Sequence, residues 1–188
     1  MVSEQRLCNN PGSALWNYDM VLIIDGYNLL HVGRLPVALS ASDLQRERDR
    51  LIDRLSAYRQ TKPCEITLVF DGWQGGWATE KKERNKGIDV IFSRLGEKAD
   101  EVIKRLVKEK GPGRIVITSD RDIARYAEKM GAAVIPSDQF RDRMQMSTVT
   151  LGKATEEDED EPTGMKKKGP SRRLSKKEKR ARAALEKI

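Results

Sequence analysis

The sequence predicts an α/β domain built on a parallel sheet with helices on both faces. Short apolar runs such as Val21-Leu22-Ile23-Ile24 and Ile66-Thr67-Leu68-Val69-Phe70 alternate with stretches whose apolar residues recur at helical spacing. Strands that are apolar throughout belong in a sheet buried on both sides, which in alternation with helices means a parallel one. Several of these runs also end on an aspartate.

The elements follow in order. Residues 21–25 form the first strand, and after a loop with Pro36 the stretch 43–60 places Leu44, Leu51, Ile52, Leu55 and Tyr58 on one helical face. Ser40 or Ser42 supplies its N-cap. Residues 65–70 are the second strand and 88–93 another. Ala99, Val102, Ile103, Leu106 and Val107 form the stripe of a helix that Asp100 opens and Gly111-Pro112-Gly113 stops. Residues 114–118 make the next strand, 122–130 a short helix and 132–135 a last strand. Ser137 caps a closing helix toward Met144. The folded domain is therefore expected over 19–146, after a leader at 1–18 and before a charged tail at 147–188.

Charge marks that second boundary. The chain carries a formal +7 over 188 residues, yet Glu156-Glu157-Asp158-Glu159-Asp160-Glu161 is wholly acidic and the residues after Met165 are mostly Lys and Arg. Neither block holds enough apolar surface to fold alone, so a disordered or partly helical tail is expected. It reads either as a basic arm that contacts nucleic acid through phosphates or as a solvated appendage.

Composition excludes other classes. No apolar run approaches the roughly 20 residues of a membrane helix, and the leader lacks a signal-peptide core, so a cytoplasmic protein is expected. Cys8 and Cys64 are too few for a disulfide framework or a zinc cluster; Cys64 reads as a small hydrophobe. His31 is the sole histidine, and no Gly-x-Ser-x-Gly elbow is present, which argues against hydrolytic triads and zinc catalysis. It sits close enough to Asn28 to reach a site, or it simply packs in a turn.

The aspartates carry the chemistry. Asp25, Asp71, Asp120 and Asp122 follow strand ends, and Asp100 opens a helix. In an open parallel sheet those positions face one crevice, and carboxylates gathered there are kept ionised together by a hard cation. Singly, each has a plainer reading: Asp71-Gly72 as a turn, Asp120 and Asp122 as helix caps, Asp100 as first-turn charge. Their joint placement favours a metal site. Glu97 and Glu101 are held in reserve beside Asp100.

These residues match a known pattern. Ile24-Asp25-Gly26-Tyr27-Asn28-Leu29-Leu30-His31 resembles the opening of the YacP-like branch of the NYN domains, relatives of the PIN-domain ribonucleases. The resemblance continues through Val69-Phe70-Asp71-Gly72, Gly96-Glu97-Lys98-Ala99-Asp100-Glu101 and Thr118-Ser119-Asp120-Arg121-Asp122, in that order. It implies a three-layer α/β/α sandwich and an endoribonuclease dependent on Mg²⁺ or Mn²⁺. It also implies single-stranded mRNA as substrate and the ribosome as a partner, since described relatives resemble nucleases that cut mRNA there. By the same resemblance Asp25, Asp100 and Asp120 are core ligands, with Asp122 and Asp71 as a fourth ligand or water-holding groups. Asn28 orients a carboxylate or touches a phosphate, and Ser119 donates to either.

Residues 72–87 are expected to be mobile and to meet RNA. Trp73 and Trp77 flank Gly75-Gly76, and Lys81, Lys82, Arg84 and Lys86 follow, a mixture suited to stacking bases and neutralising phosphates. The tryptophans alternatively pack on the sheet edge. Arg121 adds a cation beside Asp120. A haloacid-dehalogenase phosphatase would need a second Asp where Tyr27 stands, and a dinucleotide site would need Gly-x-Gly-x-x-Gly after the first strand. The stronger rival is a noncatalytic RNA- or ribosome-binding protein with the same fold, against which the retained acids argue, since they repel a polyanion.

Overall fold

A computed structural model describes residues 20–32, 40–72, 78–110, 113–152 and 175–188. Among these residues six strands form one sheet: β1 (Val21–Asp25), β2 (Glu65–Phe70), β3 (Lys81–Asn85), β4 (Ile88–Phe92), β5 (Ile115–Ile117) and β6 (Ala133–Ile135). Their order is β3-β4-β2-β1-β5-β6, parallel except for β3, which runs antiparallel to β4. The helices that accompany them are α1 (Gly26–His31), α2 (Ala41–Thr61), α3 (Ala99–Lys110), α4 (Arg121–Lys129), α5 (Ser137–Gly152) and α6 (Lys176–Lys187).

Strand alternation splits the core into two layers. Leu22, Ile24, Ile66, Leu68 and Phe70 face Leu51, Leu55 and Tyr58 of α2, Phe140 and Met144 of α5, and Ala184 of α6. Ile23, Val69, Ile91 and Val116 face Val102, Ile103 and Leu106 of α3 and Ile123 and Ala127 of α4. The three-layer α/β/α sandwich is thus present. The chain leaves β1 for β2 on one side and returns to β5 on the other, making the β1/β5 boundary the switch point where a crevice opens at the strands' carboxyl ends. Among the described residues no helix is long and apolar enough to cross a membrane.

Four elements differ from the sequence expectation, one of them α5, which runs past Met144 to Gly152 and so beyond the expected boundary at 146. Residues 26–31, given no element of their own between the first strand and the loop with Pro36, are a helix that Asp25 caps by accepting from the Asn28 N–H. Residues 81–85, placed in a mobile segment, form edge strand β3; its Lys-rich, half-exposed pattern has no continuous apolar face, so periodicity did not reveal it. Within the stretch read as tail, α6 lies against β6. Its thin apolar side is nonetheless enough to bury Ala184 and Ile188, and the Tyr58 hydroxyl donates to the Ile188 carbonyl at 2.9 Å. Lys177 pairs with Glu128 of α4 at 2.9 Å. Cys64 is a buried free thiol, its pKa pushed up to about 11 by burial.

Removing residues 175–188 uncovers that apolar patch, a loss of about 2–3 kcal/mol of burial. The expected outcome is a melting temperature lower by roughly 5–10 °C in thermal unfolding. An unchanged melting temperature would mean that α6 does not dock in solution.

Candidate active site

The strands' carboxyl ends frame a cavity of about 560 Å³ lined by Asp25, Asp71, Asp100, Asp120 and Asp138 with Asn28, Ser119, Tyr27 and His31 among its other walls. Each acid reaches it by a local rule. Asp25 ends a wholly buried strand and is itself only 8% exposed. Asp120 ends the loop after β5 and caps α4, its Oδ1 accepting from the N–H groups of Asp122 at 2.7 Å and Ile123 at 3.1 Å. Asp100 and Asp138 stand in the first turns of α3 and α5. Capping and site placement therefore coincide, because helix N-termini and strand ends share one edge of this fold.

The Asp25 carboxylate is the buried centre. Its Oδ1 accepts from the Asn28 N–H at 3.2 Å, and its Oδ2 from the Thr118 hydroxyl at 3.2 Å. Thr118 in turn accepts from the Asp120 N–H at 3.1 Å, so one hydroxyl couples the two acid-bearing loops. Burial pushes the Asp25 pKa from 3.8 up to about 6; the two hydrogen bonds oppose that rise, and the charges of Asp100 and Asp120 add to it.

Asn28 fastens the crevice. Its side-chain oxygen accepts from the Ser119 N–H at 3.3 Å and the Ser137 hydroxyl at 3.4 Å, and the Ser137 N–H donates to the Ser119 hydroxyl at 3.1 Å. The start of α1, the end of β5 and the start of α5 are thereby tied together. Asp71 is oriented by Ser93, whose hydroxyl donates to its Oδ1 at 3.1 Å and accepts from the Gly72 N–H at 3.0 Å. Gly72 is required there, since a Cβ would lie 1.8 Å from the Ser93 carbonyl oxygen.

Not every expected residue meets this cavity. Asp122 is exposed in the first turn of α4 and pairs with Arg125 at 2.8 Å, outside the lining, because two residues past the cap it points around the helix. Glu97 is buried with Arg105 at 2.7 Å and Arg94 at 3.3 Å, a structural role. Asp138 was missed; its only signal was its place in the first turn of the helix that follows the last strand. Trp73 and Trp77 lie outside the described residues. Lys81 stands opposite Phe92, at the same sheet end as Asp71, with Lys82 beside it; Arg84 pairs with Asp89 at 3.7 Å. Lys86 lies in the turn past the far end of β3, roughly 17 Å from Lys81 along the strand, bonded to Asp53. Arg121 is exposed at the cavity end of α4.

The donor chemistry fits a hard divalent cation: all charged donors are carboxylate oxygens, and the Asp25 charge is destabilised by two neighbours that a cation would neutralise. As they stand, no three His, Cys, Asp or Glu side chains among the described residues are gathered closely enough to hold a metal ion. Without a counter-charge the acids repel, and holding an ion requires the side chains to draw in.

The raised Asp25 pKa has a definite sign in stability. The folded state binds this proton more tightly than the unfolded chain, so Asp25 costs nothing below pH 4 and a growing amount as pH rises through about 6. At about 1.4 kcal/mol per tenfold change in proton affinity the full cost is on the order of 3 kcal/mol. In chelator at pH 7.5, Asp25→Asn is expected to raise the melting temperature, with the gain shrinking toward pH 4. A variant that melts lower at pH 7.5 would contradict this account of the buried charge.

Known proteins share this architecture. A Bacillus subtilis (strain 168) protein described as uncharacterised, YacP, is 32% identical over 88 residues, covering 47% of this chain and 51% of that one, so the match spans about half the length of the curated relative. The crystal structure of Rae1 (YacP) from Bacillus subtilis superposes with a TM-score of 0.56 at 25% identity, covering 70% of this chain and 77% of that one. A crystal structure of a tryptophan-to-leucine mutant of the same Bacillus subtilis protein gives 0.59 at 23% identity, covering 71% and 79%. The model of the YacP-like NYN domain matches residues 22–187, nearly the whole chain and α6 included, and the protein belongs to that family.

Proposed function

We propose that this protein is a metal-dependent endoribonuclease that cleaves single-stranded RNA in the aspartate-lined cavity. The observation that carries the reading is the convergence of Asp25, Asp71, Asp100, Asp120 and Asp138 on one crevice at the switch point of an NYN-family fold. Asp25, Asp100 and Asp120 would hold Mg²⁺ or Mn²⁺, with Asp71 and Asp138 completing the acid ring. A divalent cation there supplies water activation and phosphate neutralisation, which phosphodiester cleavage needs in the absence of a histidine base.

The chain's own groups do the remaining work. Thr118 and the Asn28 N–H hold the Asp25 oxygens in place. With its side-chain oxygen committed, Asn28 offers its amide NH₂ to a phosphate. Arg121, Lys81 and Lys82 stand at the cavity end of the sheet, where they steer an RNA backbone inward. Asp122, held by Arg125, is assigned no ligand role, and Asp138 replaces it in the acid ring. The second reading, a noncatalytic RNA- or ribosome-binding protein, is favoured by the single fact that no three acids among the described residues are gathered tightly.

Cleavage of unstructured RNA and of translating ribosomes, with Mg²⁺ or Mn²⁺, separates the two. Asp25→Asn and Asp120→Asn are each expected to lower cutting at least roughly 100-fold while the fold persists. The same ions should raise the melting temperature of the native chain and not of Asp25→Asn. Undiminished cutting by both variants would overturn the site; RNA binding without cutting under any ion would favour the binding protein. The preferred substrate shows whether the ribosome is needed.

A further inference from the structure

The cavity has an aromatic wall that the acid chemistry does not use. Tyr27 and His31 stand four residues apart on α1, hence on one face of it, and both line the cavity beside Asp25. Their ring centroids are 6.2 Å apart with planes inclined at 32°. Among the described residues they are the only aromatic ones in the lining.

Tyr27 is locked in position from behind. Its ring meets the edge of Phe70 at 5.2 Å and 61°, and its hydroxyl accepts from the Arg48 guanidinium. That guanidinium is buried among the rings of Tyr27, Phe70 and Phe92, with its centre 5.4, 5.5 and 5.6 Å from their centroids. Gly26 allows this packing, since a Cβ would lie 2.4 Å from the Phe70 ring. With its hydroxyl drawn inward to Arg48, Tyr27 offers the cavity a ring rather than a polar tip. His31 is exposed and extends that surface to the rim.

We propose that Tyr27 and His31 form a nucleobase-stacking subsite that holds one unpaired base of single-stranded RNA beside the carboxylates. The proposal deepens the ribonuclease reading and rests on it for the identity of the ligand. Among the described residues no Lys or Arg lines the cavity, so beyond a cation held by the carboxylates and the Asn28 amide, further attraction for an RNA strand within it comes from the base. Stacking on rings supplies that attraction without reading sequence. A paired base keeps both faces inside the duplex stack, so this subsite selects single strands.

The test uses the full chain carrying Asp25→Asn, in chelator, with an RNA oligonucleotide containing 2-aminopurine. Binding is expected to quench the fluorophore. His31→Ala should lose most of the quench and weaken binding about tenfold, and His31→Phe should restore both. An oligonucleotide that is abasic at that position should be indifferent to His31. Three results would overturn the subsite: no quench on binding, no binding at all, or a His31→Phe protein as weak as His31→Ala with the loss shared by the abasic strand. That last outcome would make His31 a polar contact to phosphate. Cutting by the native chain is scored separately: ring-dependent quenching without cutting retains the subsite and removes the nuclease, and cutting with ring-insensitive quenching does the reverse.

Discussion

A carboxylate buried at the end of the central strand is the constraint around which this protein is arranged. Asp25 sits where β1 meets both β2 and β5, with apolar strand behind it and Asp100 and Asp120 in front. Burial is the main cause that raises its pKa, the charges of Asp100 and Asp120 add to it, and the Asn28 N–H and the Thr118 hydroxyl moderate the rise. Such a charge is retained at a stability cost, which is how residues that bind ions or substrates differ from residues that pack. The neighbouring loops are shaped to hold that charge in place.

Those loops are joined by short polar side chains and by close backbone approach. Thr118 couples Asp25 to the turn that carries Asp120, and Asn28 couples α1 to Ser119 and Ser137. Gly26 and Gly72 permit contacts with Phe70 and with the Ser93 carbonyl that a side chain would block. The sequence Asp25-Gly26-Tyr27-Asn28 therefore reads as four separate jobs: a charge, a close contact, a ring anchored on Arg48, and a latch. Each job ties the cavity wall to a different element of the core.

Charge outside the cavity is sorted by register. The antiparallel pairing of β3 with β4 brings Lys81 and Lys82 to the acid end of the sheet and carries Lys86 to the other, where Asp53 takes it up. Exposed pairs such as Lys81 with Glu83 at 2.8 Å add little stability, but they temper the positive field that an RNA backbone would meet. On the opposite flank α6 keeps its lysines and arginines in water and spends its few apolar residues on β6 and the core.

Much of the fold was legible in the sequence because it rests on local regularities. Apolar runs of strand length, the Leu51-Leu55-Tyr58 and Val102-Ile103-Leu106 stripes, and the capping Ser40 and Asp120 each declare their element within a few residues, whereas Ser137, expected as a cap, is the first residue of its helix and turns its hydroxyl to Asn28. Asp25, Asp71 and Asp120 meet the cavity because a parallel sheet sends every strand end to one edge, and Asp100 because it opens a helix on that edge. The misses have a common cause. β3 is stabilised by pairing with β4, α6 by docking on β6, and Asp138 reaches the cavity only because β6 lies beside β5. Asp122, expected from the resemblance as a fourth ligand or water-holding group, lies outside the cavity lining because the helix turns it toward Arg125. Layers, strand ends and the chemical type of the site are properties of local pattern, and residue order suffices for them. Which acids share the cavity is a property of the folded chain, because it depends on side-chain direction and on contacts between segments far apart in sequence.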